Sequence, residues 1–120
     1  HLSRDLIVMV ESEDTVQKIQ PDISKLSAIK DVVGIAVTAK GTSCDFVSRF
    51  FAPNVGVPED PVTGSSHSSL IPFWSERLQK RQMVAKQLSP RGGTLYCENL
   101  GNRVNIGGSA VCYSKATLYI

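Results

Sequence analysis

The longest helical pattern in the sequence covers residues 65–79, and only β-type runs follow it. Five of its side chains recur at intervals of three and four, which places them on one stripe of a helix. These residues are His67, Leu70, Ile71, Trp74 and Leu78. Pro72 interrupts the pattern and removes one backbone hydrogen bond. Glycine turns separate the later runs, which predict strands at 83–88, 94–98, 103–106 and 109–120.

The first half of the chain alternates strand-like and helix-like runs. Residues 6–10 form an apolar run typical of a short buried strand, and Ser12 can cap the helix that follows. After a second short helix, residues 32–39 return to β-type residues, and residues 46–52 predict a strand covered on both faces. We therefore expect an α+β fold in which a mixed or antiparallel, strongly bent, barrel-like sheet wraps around one central helix.

Length and composition exclude several classes of protein. A chain of 120 residues with 42% apolar and 20% charged residues predicts one globular domain over residues 1–120. The net charge of +2 is not clustered, which argues against a nucleic-acid partner. No apolar run is long enough for a bilayer and no leader pattern occurs, so we expect no membrane contact and a soluble, cytoplasmic protein.

The cysteines and the first residues carry two further expectations. Cys44, Cys97 and Cys112 form no C-x-x-C pair, and their odd number fits a reducing compartment in which they are small buried side chains. The chain opens without Met and reaches a strand-like run almost at once. This opening predicts a fragment of something longer.

The segment EDPVTGSSH, residues 59–67, is the strongest candidate for a functional site. Pro61 favours an extended conformation at Asp60, and Gly64 allows another group to approach the backbone. The free amides of the following helix start, with the hydroxyls of Thr63 and Ser65, would suit a carboxylate or phosphate oxygen. An ordinary helix start capped by Thr63 or Ser65 is the alternative.

Three other chemistries fit this segment poorly. Glu59 and Asp60 are adjacent in an extended run, so they point to opposite faces and cannot share a substrate atom. Ser65 and His67 diverge on a helix, which disfavours a serine hydrolase with Asp60 as third member. The only other histidine is His1, so a zinc site is not indicated and His67 is better explained as a hydrogen-bonded core residue.

Two arginines leave alternatives open. Arg49 lies in the otherwise apolar strand 46–52, so it either pairs with Asp45 or Glu59 or binds a substrate carboxylate. Arg91 precedes a double glycine and either clamps an anion or carries a solvated charge at a turn.

Taken together, these motifs resemble the phenazine-biosynthesis PhzF-like family. The similarity lies in DFVSRFFAP (45–53), EDPVTGS (59–65) with His67, Q-x-S-x-R-G-G (87–93) and the opening SRDLIV (3–8). It covers nearly the whole chain, and the EDPVTGS string is the most specific part. Ser66 departs from the alanine often found there.

The resemblance implies a diaminopimelate-epimerase-like architecture of two pseudo-symmetric domains, with this chain as the C-terminal half. It implies a cofactor-independent proton shift in a small cyclic acid, with a glutamate base and a Gly-His-Ala helix start in the N-terminal half. By residue, Asp60 would be an acid or base, and Gly64 and Ser65 would bind the substrate carboxylate. Thr63 and, more loosely, Arg49 join them as candidate substrate-binding residues.

Two functions from different classes remain open on the sequence. The first is half of a PhzF-like isomerase or epimerase, which needs no metal or cofactor and whose isolated chain is inactive. Its partners would be a small carboxylate substrate and either the N-terminal domain or a second copy, including a homodimer. The second is a family-like binding or interaction module without catalysis.

Overall fold

The computed structural model describes residues 5–120, so Ser3 and Arg4 of the opening similarity lie outside the described residues. The elements in chain order are β1 (Asp5–Met9), α1 (Glu13–Lys18), α2 (Ile23–Ala28), β2 (Gly34–Lys40), β3 (Phe46–Ala52), a 3-10 turn (Pro53–Val55), β4 (Val57–Asp60), α3 (His67–Leu78), β5 (Gln82–Gln87), β6 (Gly93–Asn99) and β7 (Val104–Gly107). Among these residues, no helix has both the length and the apolar character needed to cross a lipid bilayer.

The strands form one mixed sheet, which confirms the α+β class. Its order is β1-β2-β3-β5-β6-β7, with β4 also paired to β3. The β1/β2 and β3/β5 pairs are parallel and the other pairs are antiparallel. The predicted barrel is not confirmed, because β1 and β7 are the two edges of an open sheet. The central position of the helix is not confirmed either, since Ser68 and Pro72 of α3 are exposed.

β3 changes partners along one of its edges, and we call this place the fork. Its residues Phe46–Ser48 pair with Ala85–Gln87 of β5, whereas Phe50 pairs with Asp60 of β4. β4 runs antiparallel to β3 and β5 runs parallel to it. The carboxyl ends of β4 and β5 therefore approach each other along the same edge of β3.

Apolar side chains cover both faces of β3, as its sequence predicts. All seven of its residues are buried. Phe46 and Phe50 pack in the core beneath α3, and Val47 and Phe51 pack in the core beneath α1 and α2. The sheet is thus a shared wall between two apolar layers.

The helices follow their sequence signals closely. Ser12 caps α1, where its Oγ accepts a hydrogen bond from the Thr15 amide at 3.1 Å. The predicted buried stripe of α3 is confirmed for His67, Leu70, Ile71 and Trp74, while Leu78 is half-buried at the edge of the same core. Trp74 donates from Nε1 to Thr38 Oγ1 at 2.9 Å, which satisfies its buried N–H.

The last predicted strand, 109–120, does not form. Residues 108–120 have no regular structure and every one of them is exposed. Their β-type side chains include Val111, Tyr113 and Leu118, at 93%, 99% and 85% exposure. A strand needs a partner for its backbone groups, and no other strand of the described chain bonds to this segment, so sequence propensity alone is insufficient here.

Candidate active site at the start of helix α3

The β4–α3 segment, residues 60–66, lies at the fork. It begins where β4 ends at Asp60, and the carboxylate of Asp60 accepts a hydrogen bond from Thr63 Oγ1 through Oδ2 at 2.5 Å. The other carboxylate oxygen, Oδ1, makes no hydrogen bond within residues 5–120. Asp60 is half-buried, so one oxygen is fixed by the chain while the other remains available.

Three backbone amides at the start of α3 are unbonded within the described residues. The first turns are closed by His67 N to Gly64 O, Ser68 N to Ser65 O and Ser69 N to Ser66 O. In the described part of the chain, the amides of Gly64, Ser65 and Ser66 have no acceptor. Because these amides lie at the positive end of the helix dipole, they suit an anion.

Within residues 5–120 no side chain caps this helix start, so the alternative of a helix capped by Thr63 or Ser65 is not what the structure shows. Ser66 precedes α3 and makes no capping bond to an amide; its Oγ donates to Thr63 O at 3.0 Å instead. The Thr63 hydroxyl is engaged by Asp60, and the Ser65 hydroxyl is exposed without a partner in residues 5–120. Gly64 and Ser65 are both exposed to solvent, whereas Ser66 is buried at 1% exposure.

Gly64 has open space beside its Cα, as some other glycines of the chain also do. Its φ lies outside the left-handed region, and a Cβ built on it would meet no atom within 4 Å. At Gly93, in contrast, a Cβ would lie 2.6 Å from Val62 Cγ2. Packing within this chain therefore requires glycine at 93 but not at 64, and the open space at 64 is available to a group from outside the chain.

Thr63 lies beneath the site rather than at its surface. Its amide donates to Gln87 Oε1 at 2.8 Å, and its carbonyl accepts from Ser66 Oγ and from His67 Nδ1. Thr63 is only 6% exposed. The structure thus brings Asp60, Thr63, Gly64 and Ser65 together, with Thr63 as their support; its substrate-binding role stays a prediction.

Arg49 is held in an ion pair away from these residues. Its Nε donates to Glu59 Oε1 at 2.7 Å and its Nη2 to Glu59 Oε2 at 2.9 Å. Its Nη1 donates to Ile19 O at 2.8 Å, at the end of α1. All three nitrogens are thus bonded within the chain, and the pair with Glu59 is the structural alternative that the sequence left open. A substrate role for Arg49 stays a prediction without a contact to support it.

His67 is a core residue, as predicted. It is fully buried, its Nδ1 contacts Thr63 O at 2.8 Å, and its ring centroid lies 5.8 Å from that of Phe46. Burial lowers the pKa of His67, which favours the neutral ring with Nδ1 as the donor. Ser65 is exposed and His67 is sealed, so a serine–histidine pair does not form.

The loop at Arg91 shows a turn with a solvated charge. Arg91 is exposed and makes no hydrogen bond or ion pair in the described chain. Gly92 beside it has φ +66°, and its amide donates to Ser89 Oγ at 2.9 Å. Anion clamping by Arg91 stays a prediction.

Sequence reasoning missed two residues that hold the β4–α3 segment in place. Gln87 is 1% exposed and bonds to Thr63 and Asp60, and Ser89 Oγ donates to Pro61 O at 2.7 Å. The signal was present, because the alternation of β5 places Gln87 on the same buried face as Met83 and Ala85. A polar side chain at a buried strand position needs partners nearby.

The cysteines and the acidic residues do not form a metal centre. Residues 5–120 contain no group of three or more His, Cys, Asp or Glu side chains close enough to hold a metal ion. Cys97 is buried as predicted, Cys44 is half-buried, and Cys112 is exposed, which corrects the prediction that all three are buried. The correction has the same cause as the missing last strand, because Cys112 lies in the unpaired segment 108–120.

Known proteins share both the sequence and the fold of this chain. It is 53% identical over 113 residues to a protein of Pseudomonas aeruginosa named an uncharacterized isomerase, covering 94% of this chain and 43% of that protein. A PhzF-family crystal structure from Enterococcus faecalis has 50% identity and a TM-score of 0.90, with 100% of this chain and 46% of that chain covered. A putative PhzC/PhzF crystal structure from Clostridium difficile has 50% identity and a TM-score of 0.88, with 98% and 46% covered.

These likenesses cover the chain almost completely but the relatives only in part. The chain spans less than half the length of the relatives it matches. The profile of the phenazine biosynthesis-like proteins, PhzC-PhzF, matches residues 2–116. The chain therefore belongs to the phenazine biosynthesis-like protein family.

Proposed function

We propose that this chain supplies one half of the active site of a cofactor-independent isomerase or epimerase that shifts a proton in a small carboxylate substrate. In this proposal the chain corresponds to the C-terminal domain of a two-domain PhzF-like protein. The other half comes from the N-terminal domain or from a second copy. The isomerase names of the relatives and the family resemblance support the reaction class.

The observation that carries the proposal is the combination of open amides and a half-free carboxylate. Gly64 and Ser65 present unbonded N–H groups at the exposed helix start, the unbonded Ser66 amide lies buried beside them, and Asp60 is tied to the same segment through Thr63. A substrate carboxylate bound to these amides would place its adjacent carbon near an acid-base group. In this proposal the unbonded amides act as the anion receptor and Asp60 acts as the proton acceptor.

The chemistry follows from where charge develops. When a base removes the proton from the carbon next to a carboxylate, the electron pair of the C–H bond moves toward the carboxylate oxygens. The amides of Gly64 to Ser66 and the dipole of α3 would stabilise that negative charge. Asp60 Oδ1 would take or return the proton, and a proton shift requires a second acid-base group on the other side of the substrate.

The proposal assigns this chain only half of the active site because residues 5–120 lack a second acid-base group beside Asp60. Glu59 points away to Arg49, and His67 is sealed in the core, so neither can act beside Asp60 on one substrate atom. In this proposal, as the family resemblance implies, the missing base would come from the N-terminal half. The proposal therefore expects the chain to bind small carboxylates and to need a partner for turnover.

A titration followed by amide NMR tests the binding part of the proposal. Benzoate added to the isotope-labelled chain should shift the amide signals of Gly64, Ser65 and Ser66 in a saturable way, whereas neutral benzamide should not. Ser65→Ala should weaken the response, and Ser68→Ala, an exposed serine on the next turn, should leave it unchanged. Equal responses to benzoate and benzamide, or none at these three amides, would contradict the anion receptor.

A further inference from the structure

Gln87 ends β5 with a buried side-chain amide that faces the core beneath α3. It is 1% exposed and shares its face of β5 with Met83 and Ala85. Burying a primary amide is unfavourable unless its donors and acceptor are bonded. The partners of Gln87 therefore explain why an amide is found at this position.

Both ends of this amide bond to the β4–α3 segment. Gln87 Oε1 accepts from the Thr63 amide at 2.8 Å. Its Nε2 donates to the Asp60 carbonyl at 2.8 Å and to Thr63 Oγ1 at 3.2 Å. The side chain thus connects the end of β5 with the end of β4 across the fork.

The bond to Thr63 Oγ1 determines where the threonine proton goes. A hydroxyl has one proton to donate and can accept at its lone pairs. Because Gln87 Nε2 can only donate, Thr63 Oγ1 is the acceptor of that bond, and its own proton is directed to Asp60 Oδ2. The hydrogen bond from Thr63 therefore engages Asp60 Oδ2 and leaves Asp60 Oδ1 without a hydrogen bond from residues 5–120.

Other residues of the same region fix only the backbone of the segment. Ser89 Oγ donates to Pro61 O at 2.7 Å, and Gly93 allows Val62 to pack closely against β6. Neither contact reaches the Thr63 hydroxyl or the Asp60 carboxylate. Ser89 therefore serves as a natural control for a role that is structural alone.

We propose that Gln87 is a positioning residue, which directs the Thr63 hydroxyl to Asp60 and thereby orients the Asp60 carboxylate for proton transfer. This inference rests on the proposed function for its catalytic meaning. The hydrogen-bond relay from Gln87 through Thr63 to Asp60 is observable without any substrate. It can therefore be tested separately from anion binding.

The test uses the carboxylate carbon signal of Asp60 in isotope-labelled chain at one fixed pH near neutrality. Gln87→Met keeps the size of the side chain but donates no hydrogen bond, so the Asp60 signal should move away from its wild-type position. Thr63→Val should move it in the same direction, and the double variant should show no further movement. Thr63→Ser should restore the wild-type position, because serine keeps the hydroxyl.

The controls separate positioning from stability. Ser89→Ala removes a hydrogen bond from the same segment and should leave the Asp60 signal in place. If Gln87→Met does not fold, Gln87→Asn provides the same test, because its shorter amide retains polarity but withdraws from Thr63. An unchanged Asp60 signal in a folded Gln87 variant, or an equal movement in Ser89→Ala, would overturn the proposal.

The two proposals fail in different ways. If the relay exists but benzoate leaves the Gly64 to Ser66 amides unmoved, the proposed function fails while the geometry stands. If benzoate binds there and the Asp60 carbon signal is unchanged in Gln87→Met, only the proposed positioning role of Gln87 fails.

Discussion

Glu59 and Asp60 are neighbours in β4, yet their carboxylates bind on opposite sides of the strand. Glu59 holds the Arg49 guanidinium through two hydrogen bonds, and Asp60 accepts from Thr63 at the start of the candidate site. The alternation of side chains along a strand makes this division unavoidable. One carboxylate therefore stabilises the fold, and the other is available for the proposed proton transfer.

Glu59→Gln should destabilise the chain by about 3 kcal/mol, because it leaves a largely buried guanidinium without its counter-charge. The two side chains are 10% and 21% exposed, so solvent cannot replace the lost partner. Urea unfolding monitored by circular dichroism measures the change. Asp14→Asn, which removes the exposed pair with Lys18, is the matched control and should cost less than about 0.5 kcal/mol. Equal effects would show that Arg49 is hydrated or paired elsewhere.

Asp60→Asn should preserve stability and strongly lower the rate of catalysis. The asparagine oxygen can still accept from the Thr63 hydroxyl, so unfolding in urea should change little. The activity test uses this chain together with the N-terminal domain or second copy that completes the site. In that active protein, the loss of the proton-transferring oxygen should lower kcat by about 10²- to 10⁴-fold. Deuterium incorporation from heavy water into the substrate measures turnover. Wild-type rates in Asp60→Asn would remove Asp60 from the mechanism.

The chain by itself should catalyse no exchange of carbon-bound substrate hydrogen with deuterated water. The reason is that, in the proposed function, Asp60 is the one acid-base group that residues 5–120 contribute beside the unbonded amides. Mass spectrometry of the substrate after incubation with the chain alone measures the exchange. Full activity in a monomer, verified by sedimentation in the same buffer, would show that the half-site proposal is wrong.

Gly64→Ala and Gly93→Ala should have opposite effects. At Gly64 a Cβ meets no atom of the chain, so stability should hold or rise slightly while benzoate binding weakens. At Gly93 the Cβ would lie 2.6 Å from Val62, so the chain should be destabilised. Thermal unfolding and the benzoate titration measure the two effects. Tight benzoate binding by Gly64→Ala would show that the anion approaches from another direction.

Stability should fall as the pH decreases from 7.5 to 5. Burial lowers the pKa of His67 below its ordinary value of 6.5, so the unfolded state binds a proton that the folded state resists. The stabilisation is complete above the unfolded pKa and decreases below it, by up to about 1.4 kcal/mol per pH unit. Urea unfolding at the two pH values measures the loss. The loss should be smaller in His67→Gln, and an equal loss would assign the effect to other groups.

Local signals predicted the elements that depend on nearby residues. The Ser12 cap, the buried stripe of α3 and the double coverage of β3 follow from patterns within a few residues of each other. The opposite directions of Glu59 and Asp60 follow from strand alternation alone. These features need no knowledge of distant partners.

Long-range features were not accessible in the same way. The register at the fork joins Ser48 to Gln87 and Phe50 to Asp60, and no local pattern specifies these pairs. The function of Gln87 depends on that register, although its buried position was readable from alternation. The segment 108–120 has the composition of a strand. Whether it forms one depends on finding the free edge of another strand, which the residues of the segment do not specify.

We expect the fork to set an order of events during folding. Gln87 can reach Thr63 only after β5 has joined β3, a contact between residues 46 and 85 that closes a long loop. The helix of α3 can form earlier from local contacts, but its entrance would lack a fixed shape. We therefore expect the Thr63 amide to gain protection from hydrogen exchange together with the β5 amides, so that the candidate site at the start of α3 is the last part of the chain to take its final shape.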